Sequence, residues 1–482
     1  MSDPTVVSKN ELTQLVGAIK ADPVSALSEL AALAKKKEAR QMIDRLLKDR
    51  GPVLSALESE LPKARKNAAR LLGALGRSGD AAALSKALQA ETALFVVPSI
   101  LLALGSVGGK ASEAALNAYK VPAARDDSEI KHVREIAAAL GKARAALERD
   151  LPLPERAKLS SPQDVLLIPP VGFQTFLQKE LAALGFAAII RPDGVHVHTD
   201  DLKTLFTARC ASEILLPVAE SLPLNPEKIA AASGDRLTRP YRVELRNYTG
   251  ERADFIRRIT SALGGGDNPS RYADELRIAC HDQTCDVYIR PCNVPDARFA
   301  YRKRAIAASI HPAAAACLAR YALSFSTVER PPVVLDPFCG SGTLLFELEQ
   351  ASPDAILLGV DISEQALNAA RTNAKAARSK ARFVRKDILK FRPREPFDIV
   401  LSNMPFGNRV GTHATNEPLY RGFVKLLPEL LSPGGIAVLY TMEFKLLSAC
   451  LQRERRLSAV TSMQTEAGGL NPRATVVRRN AD

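Results

Sequence analysis

The spacing of apolar residues changes twice along the 482 residues of the chain. Over residues 1–150 apolar positions recur at helical spacing, which predicts a series of helices. Residues 160–295 mix short alternating segments with helical ones, which predicts an α+β module. Residues 296–330 are expected to form a basic linker followed by a helix. Over residues 331–482 short apolar runs alternate with helical patterns, so we expect a doubly wound, mostly parallel sheet.

The helical region contains three similar segments, 68–76, 100–105 and 135–141. Each ends in a glycine, and these glycines lie 29 and 36 residues apart. A glycine that follows an amphipathic pattern is typical of a helix C-cap. Helix pairs repeated at this period indicate an α-solenoid, and residues 1–150 resemble short HEAT-like repeats. An ordinary helical bundle is the alternative.

Turn residues and β-branched runs locate the individual elements. A linker rich in proline and serine is expected at Leu151–Glu155 and Ser160–Pro162. In the α+β module we predict strands at Asp164–Ile168, Gly194–His198, Tyr241–Arg246, Glu275–Cys280 and Cys285–Arg290, and helices at Phe173–Leu184, Leu202–Cys210 and Glu251–Leu263. The last region is expected to hold strands at Val333–Leu335, Ala355–Val360, Ala381–Val384, Phe397–Leu401 and Ile436–Tyr440.

Composition restricts the class of protein. Apolar residues make up 46% and charged residues 25% of the chain, as in folded soluble proteins. No uninterrupted apolar run reaches the length of a membrane span, and the first residues lack the apolar core of a secretory signal, so no membrane contact is expected. Seven scattered cysteines favour a reducing compartment over a disulfide framework, which predicts a cytoplasmic protein.

Basic residues exceed acidic ones, 66 against 53, which gives a net charge of +13. The excess is spread over the whole chain, with dense runs at Arg298–Arg304 and from Arg371 to Arg394. A solvated face explains any single run. Because the two runs flank the motifs described next, together they favour a polyanionic partner such as nucleic acid.

A glycine-rich loop, Asp336-Pro-Phe-Cys-Gly-Ser-Gly-Thr343, follows the first strand of the last region. Gly340 and Gly342 permit a tight turn and a close approach of backbone N–H groups to a ligand. A dinucleotide fingerprint needs a third glycine at position 345, where this chain has leucine, so a nicotinamide cofactor is not expected. The next strand ends at Asp361, where a carboxylate can accept hydrogen bonds from a ribose diol. A third strand ends at Asp387.

The fourth strand ends in the motif Asn403-Met-Pro-Phe-Gly407. The amide oxygen of Asn403 and the main-chain carbonyl of Met404 can both accept from an exocyclic amino group. Pro405 fixes the backbone so that the two acceptors converge, and the ring of Phe406 offers a face on which a base can stack. A Pro-Gly turn with a packed phenylalanine is the alternative for this motif alone. The glycine loop and the two carboxylates before it favour a base-binding site.

These motifs resemble those of S-adenosylmethionine-dependent methyltransferases that act on amino groups. The form Asn403-Met-Pro-Phe406 is similar to that of the THUMP-associated tRNA guanine-N2 methyltransferases, as is the linker Asp296–Arg304. The resemblance implies a Rossmann-like methyltransferase domain at residues 331–482 and a THUMP-like RNA-binding module at residues 160–295. HEAT-like repeats, expected here at residues 1–150, are not part of that family's usual plan.

The resemblance also implies S-adenosylmethionine as cofactor and a role for each motif residue. The methionine end of the cofactor is expected at Asp336, Phe338, Gly340 and Gly342, its ribose hydroxyls at Asp361 and its adenine amino group at Asp387. The base to be methylated is expected at Asn403, Met404, Pro405 and Phe406. RNA phosphates are expected at Arg302, Lys303 and Arg304.

The expected function is methylation of the guanine exocyclic amine, giving N2-methylguanosine, in structured RNA, with tRNA as the foremost candidate. Methylation of rRNA guanine N2 or of DNA adenine N6 by the same pocket is an alternative, and a non-catalytic RNA-binding scaffold is another. The N-terminal repeats could bind the body of the RNA or a partner protein. The irregular spacing of Cys280, His281, Cys285 and Cys292 predicts no metal site.

Overall fold

The computed structural model describes residues 8–147, 153, 155–306, 309–405, 413–466 and 469–481, with the backbone alone for residues 413–415. The chain divides into two compact units, Met1–Leu153 and Pro154–Asp482. In the described part of the chain we find no helix that has both the length and the apolar content needed to cross a membrane.

The first unit is built, over its described residues, from helices that share one apolar core. The sequence sets several helix starts directly. Asp22 accepts a hydrogen bond from the backbone N–H of Ser25 at 3.1 Å, and Pro23 occupies the first helical position, where its fixed φ is already helical. The helices are α1 (Lys9–Ala18), α2 (Pro23–Leu33), α3 (Lys37–Leu46), α4 (Gly51–Leu57), α5 (Pro62–Leu75), α6 (Ala81–Ala90), α7 (Val97–Val107), α8 (Gly109–Ala118) and α9 (Asp127–Leu147).

The glycines of the three similar segments differ in their roles. Gly76 ends α5 as a C-cap, with a φ of 66°. Gly105 lies inside α7, however, and Gly141 lies inside α9, so the prediction of C-caps at these two positions is wrong. A Cβ at Gly105 would lie 2.6 Å from the Cα of Ala143. The absent side chain therefore lets α7 pack closely against α9, and it does not end a helix.

The described residues of the second unit begin with seven strands and four helices. The strands are β1 (Lys158–Ile168), β2 (Ala188–Arg191), β3 (Gly194–Asp201), β4 (Glu213–Pro223), β5 (Tyr241–Arg246), β6 (Asp274–His281) and β7 (Thr284–Pro291). The helices are α10 (Gln174–Ala183), α11 (Leu202–Leu205), α12 (Pro226–Ser233) and α13 (Arg252–Ala262). The strands form one sheet in the order β2-β3-β1-β4-β7-β6-β5, antiparallel except for the pair β5–β6.

Two details of this module differ from the predictions. Ser160–Pro162, expected in the linker, lies within β1, where the pairing with β3 shifts register so that proline needs no ladder partner. The helix expected over Leu202–Cys210 is confined to α11. The backbone N–H groups of Arg209 and Cys210 instead donate to the carboxylate of Glu180, at 3.0 and 2.8 Å, so they do not continue the helix.

The second sheet follows after a linker and the buried helix α14 (Pro312–Leu323). Its strands are β8 (Val333–Asp336), β9 (Ile356–Asp361), β10 (Arg382–Arg385), β11 (Phe397–Asn403), β12 (Leu431–Thr441), β13 (Leu457–Gln464) and β14 (Arg473–Arg479). Its helices are α15 (Thr343–Ala351), α16 (Glu364–Ala377), α17 (His413–Leu430) and α18 (Phe444–Leu451). The strand order is β10-β9-β8-β11-β12-β14-β13, parallel from β10 to β12, with β14 antiparallel to both its neighbours.

A buried carboxylate joins the two sheets of the second unit. Glu347 on α15 is fully buried, and Arg209 donates to it from Nε at 2.7 Å and from Nη2 at 2.8 Å. The hydroxyl of Tyr301 in the linker donates to the same carboxylate at 2.6 Å. Because an unpaired buried charge is costly, these three contacts fix the orientation of the first sheet on the second.

We expect the glycine at position 105 to be required for helix packing and the glycine at 141 to be replaceable. Gly105→Ala places a methyl group against the backbone of α9 and should destabilise the helical unit by about 1–3 kcal/mol. Gly141 is exposed and its Cβ would meet nothing within 4 Å, so Gly141→Ala should stabilise by about 0.5–1 kcal/mol. Urea denaturation followed by circular dichroism compares the two variants, and equal midpoints would contradict the close packing of α7 on α9.

Candidate cofactor and substrate site

A cavity of about 770 Å³ lies at the edge of the second sheet where β8, β9, β10 and β11 end. Its volume is in the range of small-molecule sites. The predicted site residues that line it come from four separate loops: Asp336, Phe338, Gly340, Asp361, Asp387, Asn403, Met404 and Pro405. Gly342 is not among the lining residues, and Phe406 lies outside the described residues.

The carboxylate of Asp361 holds the glycine loop in place. Its Oδ2 accepts from the N–H of Gly340 at 2.9 Å and its Oδ1 from the N–H of Ser363 at 2.8 Å. Each oxygen keeps a second lone pair, so the group can still accept from a ligand. Gly342 has a φ of 83° at the start of α15, and a Cβ there would lie 2.7 Å from the ring of Phe346. That glycine therefore shapes the turn without touching the cavity.

Asp336, at the end of β8, is 1% exposed. Its Oδ1 accepts from the hydroxyl of Ser402 at 3.1 Å and from the N–H of Phe338 at 3.2 Å. Burial raises the pKa of Asp336 to about 8; the Asp361 carboxylate also raises it, and the two hydrogen bonds oppose the shift. The protonation of this carboxyl group can therefore respond to a charged ligand near neutral pH.

The ends of β9 and β10 form a wall with both apolar and polar groups. Asp387 accepts from the N–H of Leu389 at 3.0 Å through Oδ1 and so caps a short 3₁₀ helix, Ile388–Lys390. Ile362, which is 67% exposed, and Ile388 line the cavity beside the two strand ends. An apolar wall with a carboxylate can pack against a flat heterocycle and accept from its amino group.

The loop after β11 is held by backbone and by a buried tyrosine. The N–H of Met404 donates to the carbonyl of Tyr440 on β12 at 3.0 Å. A proline at 404 would lack this donor, so methionine extends the ladder one residue beyond β11. The hydroxyl of Tyr420 donates to the carbonyl of Pro405 at 2.9 Å and lies 2.6 Å from Oγ1 of Thr441. Burial raises the pKa of Tyr420, which keeps this hydroxyl protonated.

Two parts of the cavity wall lie outside the predicted site residues. Ser309, in the segment before α14, lies with its Oγ 3.0 Å from the Oγ of Ser341 and so ties that segment to the glycine loop. Asn416 of α17 is 3% exposed, and its Nδ2 has no hydrogen-bond partner among the described residues. Serine and asparagine are common in turns and near helix starts, so only the fold could single these two out. In the described part of the chain no three His, Cys, Asp or Glu side chains are arranged to hold a metal ion.

The three cations expected on RNA phosphates lie beside the cavity and do not line it. Lys303 and Arg304 are exposed, and Arg302 is half-buried. The fully buried Asn373 of α16 accepts from the N–H of Arg304 at 2.9 Å and donates to its carbonyl at 2.8 Å. Its Nδ2 also donates to the carbonyl of Ser341 at 3.1 Å. One asparagine thus holds the basic linker against both α16 and the glycine loop.

The profile of the UPF0020 family, described as RMKL-like, methyltransferase domain, matches residues 300–473. Residues 300–473 are an RMKL-like methyltransferase domain. The expected Rossmann-like methyltransferase fold is confirmed for this part of the chain, and many helices precede it. The cavity with the predicted site residues lies within this methyltransferase domain.

Proteins similar to this chain include two that are named as RNA methyltransferases. The tRNA (guanine(6)-N2)-methyltransferase of Thermus thermophilus is 34% identical over 185 residues, 37% of this chain and 52% of that protein. The U6 snRNA (guanine-N(2))-methyltransferase THUMPD2 of Bos taurus is 33% identical over 126 residues, 25% of this chain and 24% of that protein. The chain thus spans about half of the first relative and a quarter of the second. The crystal structure of TrmN from Thermus thermophilus has a TM-score of 0.54 at 26% identity, over 66% of this chain and 99% of that one.

The raised pKa of Asp336 predicts a pH-dependent stability. In the unfolded chain this carboxyl ionises near pH 4, whereas in the folded methyltransferase domain its pKa is about 8. Between these values the folded state binds more protons, so stability falls as pH rises, by up to about 1.4 kcal/mol per pH unit. Asp336→Asn keeps the oxygen that accepts from Ser402 and removes the titration. From pH 5.5 to pH 7.5 the urea midpoint should therefore fall further in the wild type than in the variant. An equal change of midpoint in the two proteins would show that Asp336 is ionised throughout.

Proposed function

We propose that this chain is an S-adenosylmethionine-dependent RNA guanine-N2 methyltransferase. The observation that carries the proposal is a single cavity, inside the methyltransferase domain, that brings the glycine loop, Asp361 and Asp387 together with Asn403 and Pro405. The relatives named as guanine-N2 methyltransferases of tRNA and of U6 snRNA support the choice of RNA and of guanine.

The side chains at the carboxyl ends of the strands fit S-adenosylmethionine. The free lone pairs of Asp361 would accept from the two ribose hydroxyls, and Asp387 would accept from the adenine amino group while Ile362 and Ile388 pack on its ring. Asp336 would face the methionine end, where a cationic group favours the ionised carboxylate. When bound, the cofactor supplies a methyl group on a sulfonium centre to an attacking nucleophile.

The loop after β11 would orient the target base. Guanine N2 is a poor nucleophile because its lone pair is delocalised into the ring. The amide oxygen of Asn403 and the carbonyl of Met404 would accept from its two N–H bonds, which directs the lone pair at the methyl group. Tyr420, which holds the carbonyl of Pro405, is a positioning residue for this loop. Catalysis would rest on orientation and electrostatics, without a strong general base.

The two preceding regions are proposed to serve RNA binding. Residues 160–295 would act as a THUMP-like module, and the contact of Arg209 with Glu347 supports a fixed position for it beside the methyltransferase domain. Residues 1–150 would form HEAT-like repeats that bind either the body of the RNA or a partner protein. A cytoplasmic tRNA is the substrate that we propose.

Nucleoside mass spectrometry tests the proposed reaction. A deletion strain should lose N2-methylguanosine from its tRNA, and purified protein should restore it with a labelled methyl donor. Loss of the same nucleoside from rRNA alone would identify rRNA as the substrate and leave the proposed reaction unchanged. The second candidate is N6-methylation of adenine in RNA, since a tRNA1(Val) (adenine(37)-N6)-methyltransferase of Vibrio cholerae is 29% identical over 118 residues. An unchanged nucleoside profile in tRNA, rRNA and DNA would refute the proposed methyltransferase activity and favour a non-catalytic RNA-binding scaffold.

Two substitutions in the site should separate cofactor binding from methyl transfer. Asp361→Ala removes hydrogen bonds to a charged acceptor worth about 2–4 kcal/mol, so calorimetry should show cofactor affinity reduced tenfold or more. Asn403→Ala should keep cofactor affinity within a few-fold and lower the single-turnover rate by about a hundredfold or more. A loss of cofactor binding in Asn403→Ala equal to that in Asp361→Ala would assign Asn403 a structural role instead.

A further inference from the structure

The segment from α16 to β11 carries a long, dense run of positive charge. Residues 371–394 contain ten basic residues and a single acidic one, Asp387. All ten basic side chains are exposed. They are Arg371, Lys375, Arg378, Lys380, Arg382, Arg385, Lys386, Lys390, Arg392 and Arg394.

Few of these cations are neutralised by carboxylates of the chain. Arg371 lies 2.8 Å from Glu364, Arg385 lies 4.0 Å from the same carboxylate, and Arg392 lies 3.8 Å from Glu429. These are exposed pairs, which contribute little to stability. The other seven form no ion pair with a described carboxylate. Mutual repulsion among such closely spaced cations disfavours the fold, so stability does not account for their density.

The position of these cations relates them to the candidate site. Lys386 lines the cavity, and the strand before it, β10, is the outermost strand of the second sheet. Asn373 of α16 holds the backbone of Arg304 through two hydrogen bonds, which brings the exposed Lys303 and Arg304 next to the same helix. The two basic runs of the sequence therefore lie next to each other at α16. We call Lys303, Arg304 and the ten basic residues of 371–394 the rim cations.

We propose that the rim cations bind the phosphate backbone of the RNA next to the target nucleotide; this rests on the proposed function and specifies how its substrate is held. Charge complementarity carries the choice of partner, since phosphates supply the counter-charges that the described carboxylates do not supply to seven of these cations. The cores of protein–protein interfaces are depleted in lysine, whereas this surface is rich in it. Phosphates held along β10 would lead one nucleotide over Lys386 into the cavity.

Two triple variants test the surface with equal changes of charge. Lys380→Gln, Arg382→Gln and Lys390→Gln together remove three rim cations. Lys445→Gln, Arg453→Gln and Arg455→Gln remove three exposed cations next to β13, the opposite outer strand. Binding of total tRNA is measured over a range of salt concentrations. The rim variant should bind about tenfold or more weakly at low salt, and the slope of log affinity against log salt should fall by about 2–3 units, at 0.7–0.9 per lost phosphate contact. The control should match the wild type.

The outcomes of this test are distinct. The charge-conserving variant Lys380→Arg, Arg382→Lys, Lys390→Arg should restore the slope, and unchanged affinity for S-adenosylhomocysteine shows that the rim variant is folded. Equal slopes in rim and control variants, or a wild type whose tRNA binding does not depend on salt, would overturn the proposal. A wild type that binds tRNA through the rim cations but methylates no nucleoside would refute the proposed function and leave the surface standing.

Discussion

The candidate site depends on the parallel register of four neighbouring strands, β10, β9, β8 and β11. Parallel strands end at the same edge of a sheet, so side chains as far apart in sequence as Asp336 and Asn403 reach one cavity. The central strands β8 and β11 are buried on both faces, as is usual for parallel strands: Leu335 and Val400 belong to one apolar cluster, and Val334 and Ile399 belong to another. Hydrophobic burial thus sets the positions of the polar groups, and no motif would form a site without that register.

Polar contacts then fix the relative orientation of the two sheets in the second unit, which hydrophobic burial alone does not determine. The first sheet and the second share an apolar core through α14, where Phe173 and Tyr321 meet edge to face with ring centres 6.1 Å apart. Apolar contacts of this kind are weakly directional. The buried carboxylate of Glu347 is more demanding, since only a guanidinium and a hydroxyl in the correct places compensate its desolvation.

The sequence predicts the secondary structure best where a single local pattern determines it. The five strands predicted for the last region correspond to β8–β12, because short apolar runs bounded by glycine or charge have few other structures available. Strands β13 and β14 escaped prediction, since their alternation is weak and their pairing is non-local. Gly105 was misassigned because glycine is typical both of helix C-caps and of close helix–helix contacts. Only its contact with Ala143 shows that it serves the second role.

The candidate site shows the same division. Asp361 and Asn403 could be named in advance because each ends a predicted strand. Asn373 and Asn416 could not, since each lies within a helix and reaches the site only through the fold of other segments. Tyr420 also lies within a helix, and its bond to the carbonyl of Pro405 is visible only when α17 packs on the loop. Residues that hold a motif are thus harder to predict than the motif itself.

The charge on the edge strand β10 has two physical explanations that the sheet itself can separate. Arginines on an outer strand prevent edge-to-edge association with other sheets, and Arg382 and Arg385 could serve that purpose alone. The opposite outer strand, β13, contains no charged residue, however, and exposes Val460 at 45%. Edge protection by charge is therefore not a general device of this sheet. Cations also continue beyond β10 to Lys390 and Arg394, which lie outside the strand and protect no edge, so edge protection does not account for them.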